Sequence, residues 1–137
     1  MKKGISFRVI ILLGWIFTML LPLYSFSRGS AVFELAFDRV FQTQASHVTV
    51  HILLYAVLAY LLASALFQPD LSAKQLFLFV SVAVVAVAVS QESIQMISED
   101  VAFGYDEIFD VFVDLSGGII GTVLYIKVQD NGGKQKK

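Results

Sequence analysis

The 137-residue chain contains no cysteine, only two prolines and few charged residues. Without cysteine, disulfides, thiolate metal sites and cysteine nucleophiles are excluded. Charged residues make up 15% of the chain and the net charge is -1, so the composition gives no reason to expect a nucleic-acid partner. Hydrophobic residues instead make up 57%, more than a soluble domain needs to fill its core. The composition therefore predicts an integral membrane protein.

Four apolar segments predict an all-α, polytopic membrane fold that forms a single domain over residues 1–137. The predicted membrane spans are residues 9–24, 48–67, 76–97 and 108–128. At a rise of about 1.5 Å per residue, the last three are long enough for a hydrocarbon layer of about 30 Å, whereas the first is short. The first segment follows two lysines, as a signal peptide does, but no Ala-x-Ala-like cleavage site follows it, so we expect a retained helix.

Residues 31–43, between the first two spans, combine apolar and charged residues at helical spacing. The apolar positions are Val32, Phe33, Ala36, Phe37, Val40 and Phe41. The segment is too short to cross a membrane and is predicted to be an amphipathic helix in the outer interface. A helix packed on the bundle is the alternative. The polar tail, residues 129–137, is predicted to be disordered.

Basic residues are distributed unevenly between the two ends of the predicted spans. With a cytoplasmic N-terminus, only Arg28 and Arg39 of the ten lysines and arginines fall outside the cell. Basic loops remain on the cytoplasmic side, so we predict that both termini are cytoplasmic. The loop at residues 98–107 would then be external, and it is acidic without any basic residue.

Polar and ionisable residues interrupt the last three spans near the predicted outer face. They are His47, directly before the second span, His51 and Tyr55 in that span, Glu92 and Gln95 in the third, and Asp110 and Asp114 in the fourth. Spacings of three or four residues place each set on one side of its helix. Gly117 and Gly121 continue the aspartate stripe and allow another helix to approach closely. Because ionisable groups in membranes avoid lipid, we expect these side chains to share one pocket.

The motifs, in this order, resemble the VanZ-like family of small bacterial membrane proteins, named for a teicoplanin-resistance protein. That family shows Lys-x-x-His-x-x-x-Tyr, then Glu-x-x-Gln, then Asp-x-x-x-Asn-x-x-Gly-x-x-x-Gly on successive helices. The resemblance covers about residues 47–125 of this chain. Val48 stands where the family has lysine, Asp114 where it has asparagine, and Gly104 near a common arginine. The pocket is therefore more acidic than is usual for the family.

The resemblance implies a protein of the bacterial cell membrane, or inner membrane, with an envelope role and in some members glycopeptide resistance. We therefore expect an outward-facing acidic pocket that binds an envelope lipid, a lipid-linked head group or an amphiphilic antibiotic. The candidate pocket residues are His51, Tyr55, Glu92, Gln95, Asp110 and Asp114. No cofactor is expected, and the oligomeric state remains open.

Two other function classes remain open from the residues themselves. A membrane-embedded hydrolase or transferase would use His51 as general base or metal ligand, with Glu92 or Asp110 as its partner. Imidazoles and carboxylates are ligands for zinc or manganese, although the usual histidine-glutamate zinc signatures are missing. The metal candidates are His47, His51, Glu92 and Asp110. A proton-coupled carrier is disfavoured, because the inner half of the third span offers only Ser81 as a polar residue.

Overall fold

In a computed structural model, the described parts of the chain are residues 7–21, 31–40, 42–66, 71–100, 102 and 104–134. Their regular structure is entirely α-helical, as predicted. The helices are α1 (Phe7–Leu20), α2 (Ala31–Val40), α3 (Gln44–Leu66), α4 (Ala73–Glu99) and α5 (Tyr105–Lys134). Tertiary contacts join α3, α4 and α5, and α1 packs against α3 and α4.

Three helices are long and apolar enough to cross a membrane: residues 44–66 of α3, 73–98 of α4 and 105–131 of α5. The shortest of these segments has 23 residues and is therefore about 35 Å long, compared with a hydrocarbon layer of about 30 Å. Large apolar side chains lie exposed on their outer faces, including Leu53, Val82 and Phe112. Such a surface suits lipid rather than water, which indicates a membrane protein.

Helices α1 and α2 are shorter than the three helices that are long enough to cross a membrane. Helix α1 has 14 residues and is apolar, but it is shorter than the predicted span 9–24, and residues 22–30 lie outside the described residues. Helix α2 begins at Ala31 as predicted and ends at Val40 rather than at residue 43. Val32 and Leu35 of α2 are largely exposed. Its relation to the membrane surface stays a prediction.

Local hydrogen bonds define where the long helices begin and end. Ser72 caps α4 in a capping box with Gln75, and Asp100 ends this helix in the left-handed conformation at φ 54°. The N–H of Gly104 donates to the Glu107 carboxylate at 2.7 Å, which satisfies one donor at the start of α5.

Helices α3 and α5 run parallel and make the most extensive contact in the bundle. Gly117 and Gly121 lie against the α3 backbone at Ile52 and Ala56, respectively, and a Cβ atom on Gly117 would lie 2.5 Å from the carbonyl oxygen of Ile52. The predicted glycine stripe therefore faces protein and lets the two backbones approach closely. Gly118, on the adjacent side, lies against Val84 of α4.

The buried core is apolar along most of the bundle. It contains Leu58, Leu62, Leu76, Val80, Val84 and Ala88, together with Met19 from α1. Trp15 fixes α1 against α3 by donating its indole N–H to the carbonyl oxygen of Leu54 at 3.3 Å. Residues 129–134 of the predicted disordered tail instead continue α5, whereas residues 135–137 lie outside the described residues. A helix adds one hydrogen bond for each further residue that it orders, so α5 extends past its apolar part.

Candidate functional site

The candidate site lies at the end of the bundle where α3 and α5 begin and α4 ends. His47 and His51 lie one turn apart on α3 and face Asp110 and Asp114, which lie one turn apart on α5. The same four-residue step relates Ile52 and Ala56 to the two packing glycines. Parallel helices in a constant register thus bring each histidine to an aspartate, as the spacing predicts.

His51 and Asp114 form a buried pair. The ring atom Nδ1 of His51 lies 2.7 Å from Oδ1 of Asp114, and the two residues are 7% and 0% exposed. A carboxylate only accepts hydrogen bonds, so His51 donates its Nδ1–H to Asp114. In the neutral ring, the other nitrogen of His51 then carries a lone pair.

The side chain of His47 extends this series of polar contacts towards the surface of the bundle. Its Nε2 lies 2.8 Å from Nε2 of His51 and 3.5 Å from Oδ2 of Asp110. Because the Nε2 lone pair of His51 can only accept a hydrogen bond, His47 donates its Nε2–H to that atom. Asp114, His51, His47 and Asp110 therefore form one continuous polar row from the core to the outside of the bundle.

Glu92 reaches the same level from α4. It is 5% exposed, and its ligand atom lies within 4.8 Å of those of His51 and Asp114. Among the described residues, its Oε1 has no hydrogen-bond partner. An unsatisfied buried carboxylate oxygen is costly, by about 1–3 kcal/mol or more. This oxygen of Glu92 is therefore available to accept a hydrogen bond or to contact a cation.

Tyr55 has a partner that the sequence interpretation missed. It is fully buried, and its hydroxyl donates to Oε1 of Gln91 at 3.0 Å. Gln95, one of the six predicted pocket residues, is exposed. Because α4 runs antiparallel to α3, residues before Glu92 lie deeper, at the level of Tyr55. The antiparallel direction of α4 could therefore have identified Gln91 from the sequence as the partner of Tyr55.

A cleft opens beside the outer end of the polar row. Its volume is about 280 Å³, and it is lined by Thr43, Gln44, His47, Val48, Asp106, Phe109 and Asp110. Val48 and Phe109 give it an apolar wall, whereas the two aspartates and His47 make the rest polar and acidic.

Negative charge dominates the site. Three carboxylates, from Glu92, Asp110 and Asp114, surround two histidines, and Asp106 adds a fourth at the cleft. Both ion pairs that the described residues form involve histidine, and neither involves lysine or arginine. Buried carboxylates need a compensating positive charge or a proton. The site is therefore suited to a cationic group or a metal ion.

Comparisons of the chain with protein-family models, with curated proteins and with solved structures found no match. Away from the site, the buried polar residues among the described part of the chain are Thr122 and Tyr125 on α5. The core between α3 and α4 is apolar there, so the polar row does not continue through the bundle.

Proposed function

We propose that this chain is a VanZ-like protein of the bacterial cell membrane that binds the head group of an amphiphile in its acidic cleft. The amphiphile is an envelope lipid, a lipid-linked precursor or an amphiphilic antibiotic, and its head group is cationic or rich in hydroxyl groups. The protein has four membrane helices, with α1 as the first and α2 in the outer interface. Both termini are cytoplasmic, so the cleft faces outward.

The observation that carries this proposal is the mixed lining of the cleft at the end of a membrane bundle. Phe109 and Val48 offer apolar surface, while Asp106 and Asp110 offer carboxylate oxygens. An amphiphile presents both kinds of group, and in a membrane its tails lie along the lipid-facing helices. Carboxylates at the mouth disfavour a bare anionic head group and favour ammonium or hydroxyl groups.

The size of the cleft limits what it holds. Ligand pockets that enclose whole small molecules measure about 300–1,000 Å³. At about 280 Å³, this cleft matches a head group rather than an entire lipid. The exposed apolar side chains below it, such as Phe112 on α5, provide a surface for the tails.

The orientation can be tested by cysteine labelling, because the chain contains no cysteine of its own. Ala102 and Ala73 are exposed alanines near opposite ends of α4. In intact cells, an impermeant maleimide should label Ala102→Cys and should leave Ala73→Cys unlabelled until the membrane is permeabilised. The opposite labelling pattern would place the cleft on the cytoplasmic side.

Binding can be tested by native mass spectrometry of the protein purified in a mild detergent from its membrane. The parent protein should retain one amphiphile per chain. Asp106→Asn combined with Phe109→Ala should lower the retained fraction about tenfold, which corresponds to about 1.4 kcal/mol, because both walls of the cleft lose contacts.

Asp130→Asn provides the matched control for this experiment. Asp130 is an exposed aspartate at the opposite end of α5, so its replacement should leave retention unchanged. A parent protein that retains no amphiphile, or a double variant that retains as much as the parent, would contradict head-group binding in the cleft.

A second candidate, a membrane-embedded hydrolase or transferase, is favoured by the His51–Asp114 pair. A carboxylate that fixes one ring nitrogen of a histidine is the arrangement that orients a general base. His47 lines the cleft and would accept the proton from the substrate. His51 contacts His47, and together with Asp114 it would hold the His47 ring in position. Chemical turnover of the retained amphiphile, lost in His47→Gln, would favour the enzyme; unchanged amphiphile would favour binding alone.

A further inference from the structure

We infer that His47, His51 and Asp110 bind a divalent transition-metal ion at the inner wall of the cleft. Each residue offers one ligand atom, a ring nitrogen from each histidine and a carboxylate oxygen from Asp110, and these three atoms lie within 4.8 Å of one another. The two nitrogens are 2.8 Å apart, and Nε2 of His47 lies 3.5 Å from Oδ2 of Asp110. This inference goes beyond amphiphile binding and does not depend on it.

The distances fit an ion with a small adjustment. With metal–nitrogen bonds of about 2.0–2.1 Å, two nitrogens on a tetrahedral ion lie about 3.3–3.4 Å apart. The two histidines therefore need to separate by about half an ångström, and His47 must carry its proton on Nδ1 so that its Nε2 lone pair can bind the ion. The side chain of His47 is 38% exposed, so it has room to turn outward while His51 stays fixed.

Asp114 supports the site from behind. Histidines that bind metals usually donate their other ring N–H to a carboxylate or carbonyl, which fixes the tautomer and the direction of the ring. His51 does so through its 2.7 Å contact with Asp114, and this leaves its Nε2 lone pair directed at the inferred ion. The buried aspartate is thus a positioning residue and not a ligand.

The negative charge of the site also favours a divalent metal ion. The row combines two histidines with two aspartates, Asp110 and Asp114. A divalent cation compensates these carboxylates without requiring either histidine to be protonated. Two imidazoles with one carboxylate are the donor set of zinc, manganese and iron(II) sites, and the open cleft leaves further coordination positions for water or a head-group oxygen.

The test is isothermal titration of the full chain, stripped of metal with a chelator and held in detergent, with Zn²⁺ alone. The parent should bind one ion per chain, and its unfolding temperature should rise with Zn²⁺. The double variant His47→Gln with Asp110→Asn removes two ligands at the partly exposed end of the row, so it should fold but lose binding. Asp114→Asn should keep the stoichiometry and weaken binding about 10–100-fold.

Two further variants distinguish this site from its neighbours. Glu92→Gln should leave Zn²⁺ affinity within about threefold, because Glu92 belongs to the inner group with His51 and Asp114. Asp106→Asn should likewise leave Zn²⁺ affinity within about threefold, although it weakens amphiphile retention. The metal site and the amphiphile site can therefore be tested separately. No saturable Zn²⁺ binding by the parent, or binding that survives the double variant and is lost in Glu92→Gln, would overturn the assignment.

Discussion

Replacing Gly121 with alanine is expected to destabilise the bundle by about 1–3 kcal/mol or more, because the added methyl group has no space. Its Cβ would meet the carbonyl of Ala56 on α3, and backbone atoms cannot turn aside as a side chain does. The whole of α5 would have to move away from α3. The measurement is unfolding of the purified protein by heat or by a denaturing detergent.

Two other glycines provide the controls. Gly14 of α1 has no neighbouring atom within 4 Å of the position of an added Cβ, so Gly14→Ala should be neutral or slightly stabilising. Gly118→Ala should fall between these variants, because its new methyl group meets the side chain of Val84. Equal stability of Gly121→Ala and Gly14→Ala would show that α3 and α5 do not pack on this glycine.

Replacing His51 with leucine is expected to cost about 3–5 kcal/mol of stability, because it leaves the buried Asp114 without its partner. Asp114 is fully buried and accepts its 2.7 Å hydrogen bond from this histidine. His47→Leu is the matched control one turn away. Its side chain is 38% exposed, so its loss should cost about 1 kcal/mol.

A double-mutant cycle separates the value of the pair from the cost of breaking it. His51→Leu combined with Asp114→Leu removes both polar partners and leaves apolar side chains of similar size. Buried ion pairs replaced in this way often lose little stability, so the double variant should be more stable than His51→Leu alone. Additive losses from the two single changes would mean that the residues do not act as a pair.

Much of this architecture could be predicted from the sequence, because it follows from residues that repeat at helical spacing. The spacing of four residues between His47 and His51, and between Asp110 and Asp114, puts both pairs on single helix faces. Gly117 and Gly121 likewise predict a close helix contact, and the structure shows that α3 is the helix they meet. Three long apolar stretches identify the helices that can cross a membrane.

Other features depend on how deep each helix lies in the bundle, which periodicity does not specify. Gln91 and Gln95 lie one turn apart on α4, and only the deeper one reaches Tyr55. The 2.8 Å contact between the two histidines depends on side-chain rotation, so it could not be read from a pattern. The end of α5 at Lys134 also depends on helix propagation beyond the apolar segment.

The histidines and their aspartates are separated by 63 positions in the chain, and this has a consequence for biogenesis. At about 5–20 residues per second, translation delivers Asp114 roughly 3–13 s after His51. In that interval, α3 enters the membrane with two polar rings and without its main packing partner. A chaperone or insertase that shields α3 during this interval would therefore matter more for this protein than for one whose paired helices are adjacent in the chain.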